Sequence, residues 1–487
     1  MEIENSLVIV NTTEQPIPIP IPTDNSHLNR SDFPEGFVFG TGTASFQVEG
    51  AAAIGGKGPS LWDDFTLRTP KRIADGSNGN VAADMYHRFK EDIRTMKKMG
   101  LDAYRFSISW PRILPGGRPS AGINREGLDY YNELIDTIIA HGMEPYVTLF
   151  HWDLPDILEK EYEGFLSKNI VADFREYANL CFFEFGDRVK WWTTLNEPWT
   201  YAVNGYVKGT FPPSKASCPP NRVLRKLPPH RSIQDQEHTV PITRSYSDIK
   251  YDKSDPAKDP YTVARNLLLA HAAAVHLYRT TYKPFQQGQI GIVNNSHWYV
   301  PLDENSEEDK AAARRAVDFM LGWFLDPCLY GRYPQNMIDF VPPENLAPFT
   351  TYESQMLKGS TDYIGVSDKN EYKLTAREAC QDTRRTRYHQ DHLANVLKAI
   401  ENDKVNIKGY FVWSWCDNFE WAEGYTARFG INYIDFVNNL TRYPKNSAVW
   451  FCKFLKSRKK LLSLSKKRQA EDNSENGTDK RSKAGEE

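Results

Sequence analysis

Cysteine is scarce in this chain and follows no pattern. The six cysteines (Cys181, Cys218, Cys328, Cys380, Cys416 and Cys452) show no paired spacing. That argues for a reducing compartment and against a disulfide or zinc framework. The His-x-x-His pair, His389 and His392, lacks the glutamate and third ligand of a zinc helix, so both read as surface or core histidines. No apolar run reaches the roughly 18 residues a membrane helix needs, and none is expected. Neither sign of charge dominates. Lys and Arg number 60 against 63 Asp and Glu, a net charge of −3, so no global field draws the chain to nucleic acid or to a membrane. The opening MEIENSLVIV places acids where a signal peptide needs bases, and its apolar run is too short. Without a secretory route, the Asn-x-Ser/Thr triplets at Asn11, Asn29, Asn294, Asn439 and Asn476 carry no weight.

Aromatic residues, by contrast, are plentiful: 13% of the chain, with 12 Trp. Core packing is their default use, and stacking on sugar rings is the functional one. The stretch Trp191–Pro198, WWTTLNEP, has most to say. Val189, Trp191, Thr193 and Leu195 alternate with Lys190, Trp192 and Thr194, and β-branched and aromatic residues fit a pleated surface. The strand stops at Asn196-Glu197-Pro198, because proline cannot donate to a sheet ladder. A carboxylate beside an amide at a strand's C-terminal end is where a (β/α)8 barrel keeps its chemistry. Alone, Glu197 reads equally well as a surface residue.

The rest of the chain repeats one unit. Residues 1–32, with PIPIPIP at Pro16–Pro22, read as a Pro-rich disordered leader. From there a strand is expected at Phe37–Thr43. Helix Val81–Met99 stops at Gly100 and strand Leu101–Ser109 follows; helix Gly127–His141 stops at Gly142 before strand Pro145–His151. Helix Lys168–Phe185 ends at Gly186 ahead of WWTTLNEP. Helix Val263–Tyr282 stops before Pro284, and strand Gln289–Asn294 follows. Ser306–Trp323 reads as a helix with Ser306 and Asp309 as a capping box. A short strand Asp362–Val366 precedes helix Ala376–Glu401, and Val405–Trp421 gives a strand and an aromatic-acidic loop. Helix, glycine stop and apolar strand in repetition indicate a parallel sheet with helical crossovers. The Pro- and Ser-rich segment Pro212–Pro260 is a long loop at the end where such barrels bind substrate. The strands number seven, and a closed barrel of this kind needs eight.

The pieces TGTASFQVEG, GPSLWDDF, YRFSISWPRILPGG, VTLFHWDLP, WTTLNEP, DFMLGWFLDP, YFVWSWCDNFEW, FGINYIDF and RYPKNSAVWF, in this order over roughly residues 32–455, resemble the family-1 glycoside hydrolases. Within that family the chain looks most like plant β-glucosidases of monoterpenoid alkaloid glucosides, the strictosidine and raucaffricine glucosidase group. The resemblance implies an α/β fold, a (β/α)8 TIM barrel over residues 33–455, and no cofactor. It also implies retaining hydrolysis of a β-glucoside by two carboxyl groups, one protonating the leaving oxygen and one attacking the anomeric carbon. Glu197 matches the acid/base, and Asn196 its partner toward the sugar 2-hydroxyl. Gln47, His151, Trp413, Glu420 and Trp421 match the glucose-binding set, and Phe429 would close the site.

One motif of the family is missing. Its nucleophile is the Glu of TENG or TESG at the end of the seventh strand, and neither occurs here. DYIGV runs instead into SDKNEYKLTAREA, which resembles the segment just after that motif, so the join falls near residues 365–367. An internal deletion of at least one βα unit, roughly 30 residues, accounts for both features. It leaves Arg105, near the nucleophile in the family, without its anionic partner. Glu371 is the nearest glutamate after the join, in a polar NEYK context. Three readings stay open: a non-catalytic isoform that binds sugar or pairs with an intact glucosidase, as a homo- or hetero-oligomer; an active glucosidase through a substitute carboxylate; or a non-productive product that folds poorly. Residues 456–487 turn basic and polar. Lys466-Lys467-Arg468 and Lys480-Arg481-Ser482-Lys483 resemble a bipartite nuclear localisation signal, so the expected location is nucleus or cytoplasm.

Overall fold

The computed structural model describes residues 28–215, 254–367 and 380–457. Seven strands form one sheet: β1 (Val38–Gly42), β2 (Ala103–Ser107), β3 (Glu144–Phe150), β4 (Trp191–Asn196), β5 (Gln289–Asn295), β6 (Ile364–Ser367) and β7 (Gly409–Trp413). Every pairing is parallel, in the order β6-β5-β4-β3-β2-β1-β7. The last strand therefore lies beside the first, as in a barrel. Among the described residues β6 and β7 do not pair, so the curled sheet carries a seam between them. The seam falls at the point where the sequence leads one to expect an eighth strand to be missing.

The helical layer forms as its apolar spacing dictates. Helix α1 (Met85–Met99) buries Met85, Phe89, Ile93 and Met96 on one face and ends on Gly100, whose φ of +99° suits only glycine well. Helix α2 (Arg125–Ala140) buries Leu128, Tyr131, Leu134, Ile135 and Ile138 against the sheet. Helix α3 (Asn169–Phe185) ends differently. Gly186 keeps a right-handed φ of −74°, and the Gln286 amide donates to the Phe182 carbonyl at 2.8 Å in the space that a side chain at Gly186 would fill.

Helix α4 (Asp259–Leu277) continues through a π-turn, Tyr278–Tyr282, into the short helix Lys283–Gln286. Pro284 thus stands in a first helical turn, where a missing N–H costs little, and does not stop the chain. The capping box at Ser306 is half formed: its hydroxyl accepts from Asp309 N–H at 3.1 Å, while the Asp309 carboxylate accepts from Asp303 N–H at 2.8 Å. After β6 comes helix α5 (Thr383–Glu401). The barrel also begins earlier than expected. Asn29 caps a short turn over Arg30–Asp32, and Arg30 forks onto Asp102 with two contacts of 2.7 Å.

Two close approaches shape the interior. A Cβ on Gly40 would lie 2.3 Å from the Phe411 ring, and one on Gly291 would lie 2.3 Å from the Tyr363 carbonyl oxygen. Glycine at these points lets Phe411 of β7, and Tyr363 just before β6, cross their neighbours. Phe411 thereby reaches Tyr146 of β3, with centroids 4.8 Å apart. On β6, Ile364 is 41% and Val366 66% exposed, as outward residues become when no helix among the described residues covers them.

Val366→Lys is therefore expected to change the unfolding free energy by less than about 0.5 kcal/mol. Gly291→Val should cost about 1–3 kcal/mol, because the new side chain has no space. Urea denaturation of the two variants measures this. A large loss for Val366→Lys would mean that the seam is covered.

Candidate active site

The C-terminal ends of the strands gather the residues that the sequence singled out. Gln47 sits on a helical turn after β1 (Ser45–Val48), His151 follows β3, and Asn196 ends β4. Glu197 comes next, Trp413 ends β7, and Glu420 and Trp421 lie in the loop beyond. The pairing of β4 with β5 shifts register between Thr193 and Asn196. Such an irregularity re-aims a side chain, and it accompanies an Asn196 that faces the interior. Glu197 itself has φ +42°, Trp152 +73° and Trp421 +52°. Backbone strain of this kind collects at functional sites.

Three side chains form a relay. Arg105, on β2, donates from Nη2 to Asn196 Oδ1 at 2.6 Å and from Nε to Thr148 Oγ1 at 3.1 Å. With its oxygen so engaged, Asn196 has Nδ2 to offer, and it lies 3.2 Å from His151 Nε2. An amide nitrogen only donates, so Nε2 accepts and the ring proton sits on Nδ1. Burial, followed by the charge of Arg105, holds the His151 pKa well below its usual value and keeps the ring neutral. Its Nδ1 is buried with no partner among the described residues, and so is Gln47 Oε1. A buried donor and a buried acceptor without partners are costly unless a ligand satisfies them.

Gln47 is fixed from its other end. Its Nε2 lies 2.9 Å from Asn418 Oδ1, 3.0 Å from the Phe419 carbonyl and 3.1 Å from Glu420 Oε2. Indoles wall the site: His151 lies between Trp413 at 5.6 Å and Trp421 at 5.9 Å, with planes 15° and 14° from its own. Trp421 packs in turn on Trp152 and Trp62, with centroids 4.7 and 4.8 Å away. The Phe429 carbonyl accepts from Ser414 N–H at 3.3 Å, which ties its loop to the end of β7.

Glu197 Oε2 accepts from Thr200 Oγ1 at 3.0 Å, and Thr200 accepts from Asn295 at the end of β5. The carboxylate is thus oriented by β5 without being neutralised. Sequence reading missed Thr148, Thr193, Thr200 and Tyr363. Tyr363 Oη lies 2.8 Å from Thr193 Oγ1 and donates to the Trp192 carbonyl at 2.8 Å, and burial pushes its hydroxyl up to about 12. Period-two alternation marks Thr193 as inward-facing; nothing local marks Tyr363. His389 is buried against Tyr410 of β7, with 2.8 Å between Nδ1 and the hydroxyl, as a core histidine. Glu371 and the basic tail lie outside the described residues.

Carboxylates and amides ringed by indoles, at the C-terminal end of a parallel barrel sheet, define a sugar-handling TIM-barrel protein. The chain belongs to glycosyl hydrolase family 1, whose model matches residues 29–375 and 365–460. It is 43% identical over 537 aligned positions to raucaffricine-O-β-D-glucosidase of Rauvolfia serpentina, covering 94% of this chain and 97% of that one. It is 41% identical to ipecac alkaloid β-glucosidase 9 of Carapichea ipecacuanha, over 89% of this chain and 93% of its relative. The crystal structure of rice Os3BGlu6 β-glucosidase superimposes with a TM-score of 0.78 at 38% identity, covering 88% of this chain and all of that one.

The relay predicts that His151 stays a neutral Nδ1–H tautomer from pH 5 to 8. Asn196→Asp would place an anion beside it and raise its pKa toward neutrality. Nitrogen-15 NMR of the imidazole ring checks both, and a His151 that titrates near 6.5 in the unchanged chain would break the relay.

Proposed function

We propose that this chain binds β-glucosides of the alkaloid-glucoside type as a family-1 glucosidase homologue but turns them over poorly. It would act as a non-catalytic isoform or as a partner of an intact glucosidase. The observation that carries this reading is the seam between β6 and β7. A barrel strand brings its terminal carboxylate only with itself, and the strand that stands between these two in a closed barrel is not among the described residues. Two further findings support it. The family model matches in two stretches that meet at residues 365–375, around the expected join. The alignment to the Rauvolfia enzyme spans 537 positions against the 487 residues of this chain, so at least 50 of them face a gap here.

The site supports recognition without the second half of the chemistry. Gln47 Oε1 and His151 Nδ1–H offer an acceptor and a donor to sugar hydroxyls, and the indoles of Trp413 and Trp421 suit the C–H face of the ring. Glu197 stands ready to protonate a leaving oxygen. Retaining hydrolysis also needs a carboxylate to form the glucosyl ester, which splits one hard step into two. Acid catalysis alone contributes about 10²–10⁴-fold, short of the roughly 10⁶ or more typical of enzymes. Release of nitrophenol from its β-glucoside should therefore be negligible, and a 2-fluoro-glucosyl inactivator should leave the protein unlabelled. Inserting a relative's sixth-to-seventh-strand segment at the join should restore both. Ordinary turnover that Glu371→Ala abolishes would favour the active reading instead, since Glu371 follows β6 by only four residues.

The tail supports a nuclear or cytoplasmic location. A fluorescent fusion is expected to enter the nucleus, and replacing Lys466, Lys467 and Arg468 by Ala should release it. Nuclear signal that survives this change would remove residues 466–483 as the address.

A further inference from the structure

Gln47 and His151, the acceptor and the donor offered to sugar hydroxyls, stand on separate segments. One is the helical turn Ser45–Val48 after β1, and the other is the chain leaving β3. Among the described residues one hydrogen bond joins the two segments, from Ser45 Oγ to Asp153 Oδ2 at 2.8 Å. Ser45 lies two residues before Gln47, and Asp153 two residues after His151. Both ends of this tie are anchored. Ser45 N–H donates to Ser107 Oγ of β2 at 2.7 Å, and Ser107 Oγ donates back to Ser45 Oγ at 3.0 Å. Beyond Asp153, Leu61 N–H donates to the Leu154 carbonyl at 2.8 Å, and Asp156 N–H to the Pro59 carbonyl at 3.0 Å.

The three side chains of the tie, Ser45, Ser107 and Asp153, are buried. The charged groups around Asp153 are committed elsewhere: Glu49 to Arg112 at 3.0 Å, and Lys57 to Asp63 at 2.7 Å. Tyr177 of α3 also faces it and donates to the Leu149 carbonyl at 2.7 Å. Burial pushes the Asp153 carboxyl up to about 7, with Glu49 adding to the rise and the Ser45 hydroxyl and Lys57 opposing it. In slightly acid solution the group is therefore a neutral acceptor toward Ser45, which an asparagine side chain can imitate.

We propose that Asp153 is a positioning residue for sugar recognition: through Ser45 it holds Gln47 at the spacing from His151 that one pyranose ring requires. This rests on the reading that the site binds glucosides. A rigid ring bonds to both residues at once only if their spacing is kept to within about 0.5 Å. Without the tie, binding would also have to order the two segments, and that cost is subtracted from affinity.

Two measurements on the full chain test this. At pH 6, calorimetric affinity for a nitrophenyl thio-β-glucoside should fall about tenfold in Asp153→Leu and in Ser45→Ala. Asp153→Asn keeps an acceptor for Ser45 and should stay within about twofold of the unchanged chain. In a Gln47→Ala background Asp153→Leu should cost less than about twofold more, because a residue that acts through another is not additive with it. Amide hydrogen exchange, read without sugar, should quicken over residues 44–48 in Asp153→Leu and stay unchanged over α2. Circular dichroism confirms each fold, and Ser45→Ala carries the test if Asp153→Leu unfolds. Undiminished affinity in Asp153→Leu overturns the proposal, and so does a full additive loss in the Gln47→Ala background. If none of the chains binds the thioglucoside, the reading of a sugar site fails, whereas unchanged exchange over residues 44–48 overturns the tie itself.

Discussion

The pairing of β7 with β1 is the contact on which the rest depends. Five residue pairs, from Val38 opposite Gly409 to Gly42 opposite Trp413, join the end of the chain to its beginning. Without them the loop that carries Glu420 and Trp421 would have no reason to meet Gln47, more than 370 residues away in sequence. Glycine at positions 40 and 42 of β1 makes the approach close enough for Phe411 and Trp413 to lean across. The sheet therefore curls into a site at one place although it stays unpaired at another. A parallel sheet tolerates this because each strand pair bonds independently of closure, but among the described residues the two edges carry N–H and C=O groups without a strand partner.

The electrostatics of the site are set by the strands that the sheet does contain. Two carboxylates, Glu197 and Glu420, reach the site together with one guanidinium. Thr200 orients the first, the Gln47 amide contacts the second, and the guanidinium is held by neutral oxygens. In low dielectric such an arrangement of fixed donors and acceptors suits a ligand rich in hydroxyls. The residues that the family resemblance assigns to sugar recognition stand on or just after β1, β3, β4 and β7. On the reading proposed above, only the group that an eighth strand would contribute is lost, so activity can fall without the fold failing.

Much of this was legible from residues alone. The repeated helix, glycine and strand pointed to the parallel sheet, and the buried faces of α1 and α2 are those read from spacing. The order of motifs pointed to the family and to the residues that meet at the strand ends. What escaped had physical reasons. Pro284 does not end its helix, because a π-turn resets the first turn around it. Gly186 stops α3 by making room for Gln286 and not by a left-handed turn. Tyr363 reaches Thr193 only because residue 291 on a different strand is glycine, a long-range fact that no local pattern holds. The relay from Arg105 to His151 needs the register shift at Asn196, which alternation alone places on the wrong face.

Residue-resolved amide hydrogen exchange tests the central claim most directly. In a parallel sheet, successive N–H groups of a strand point to opposite sides, so an edge strand protects only every second amide. The account predicts that β6 and β7 show alternating fast and slow exchange, while β2, β3 and β4 are protected at every amide position. Uniform protection across Ile364–Ser367 and Gly409–Trp413 would mean that another segment pairs in the seam, and would contradict a sheet one strand short of closure.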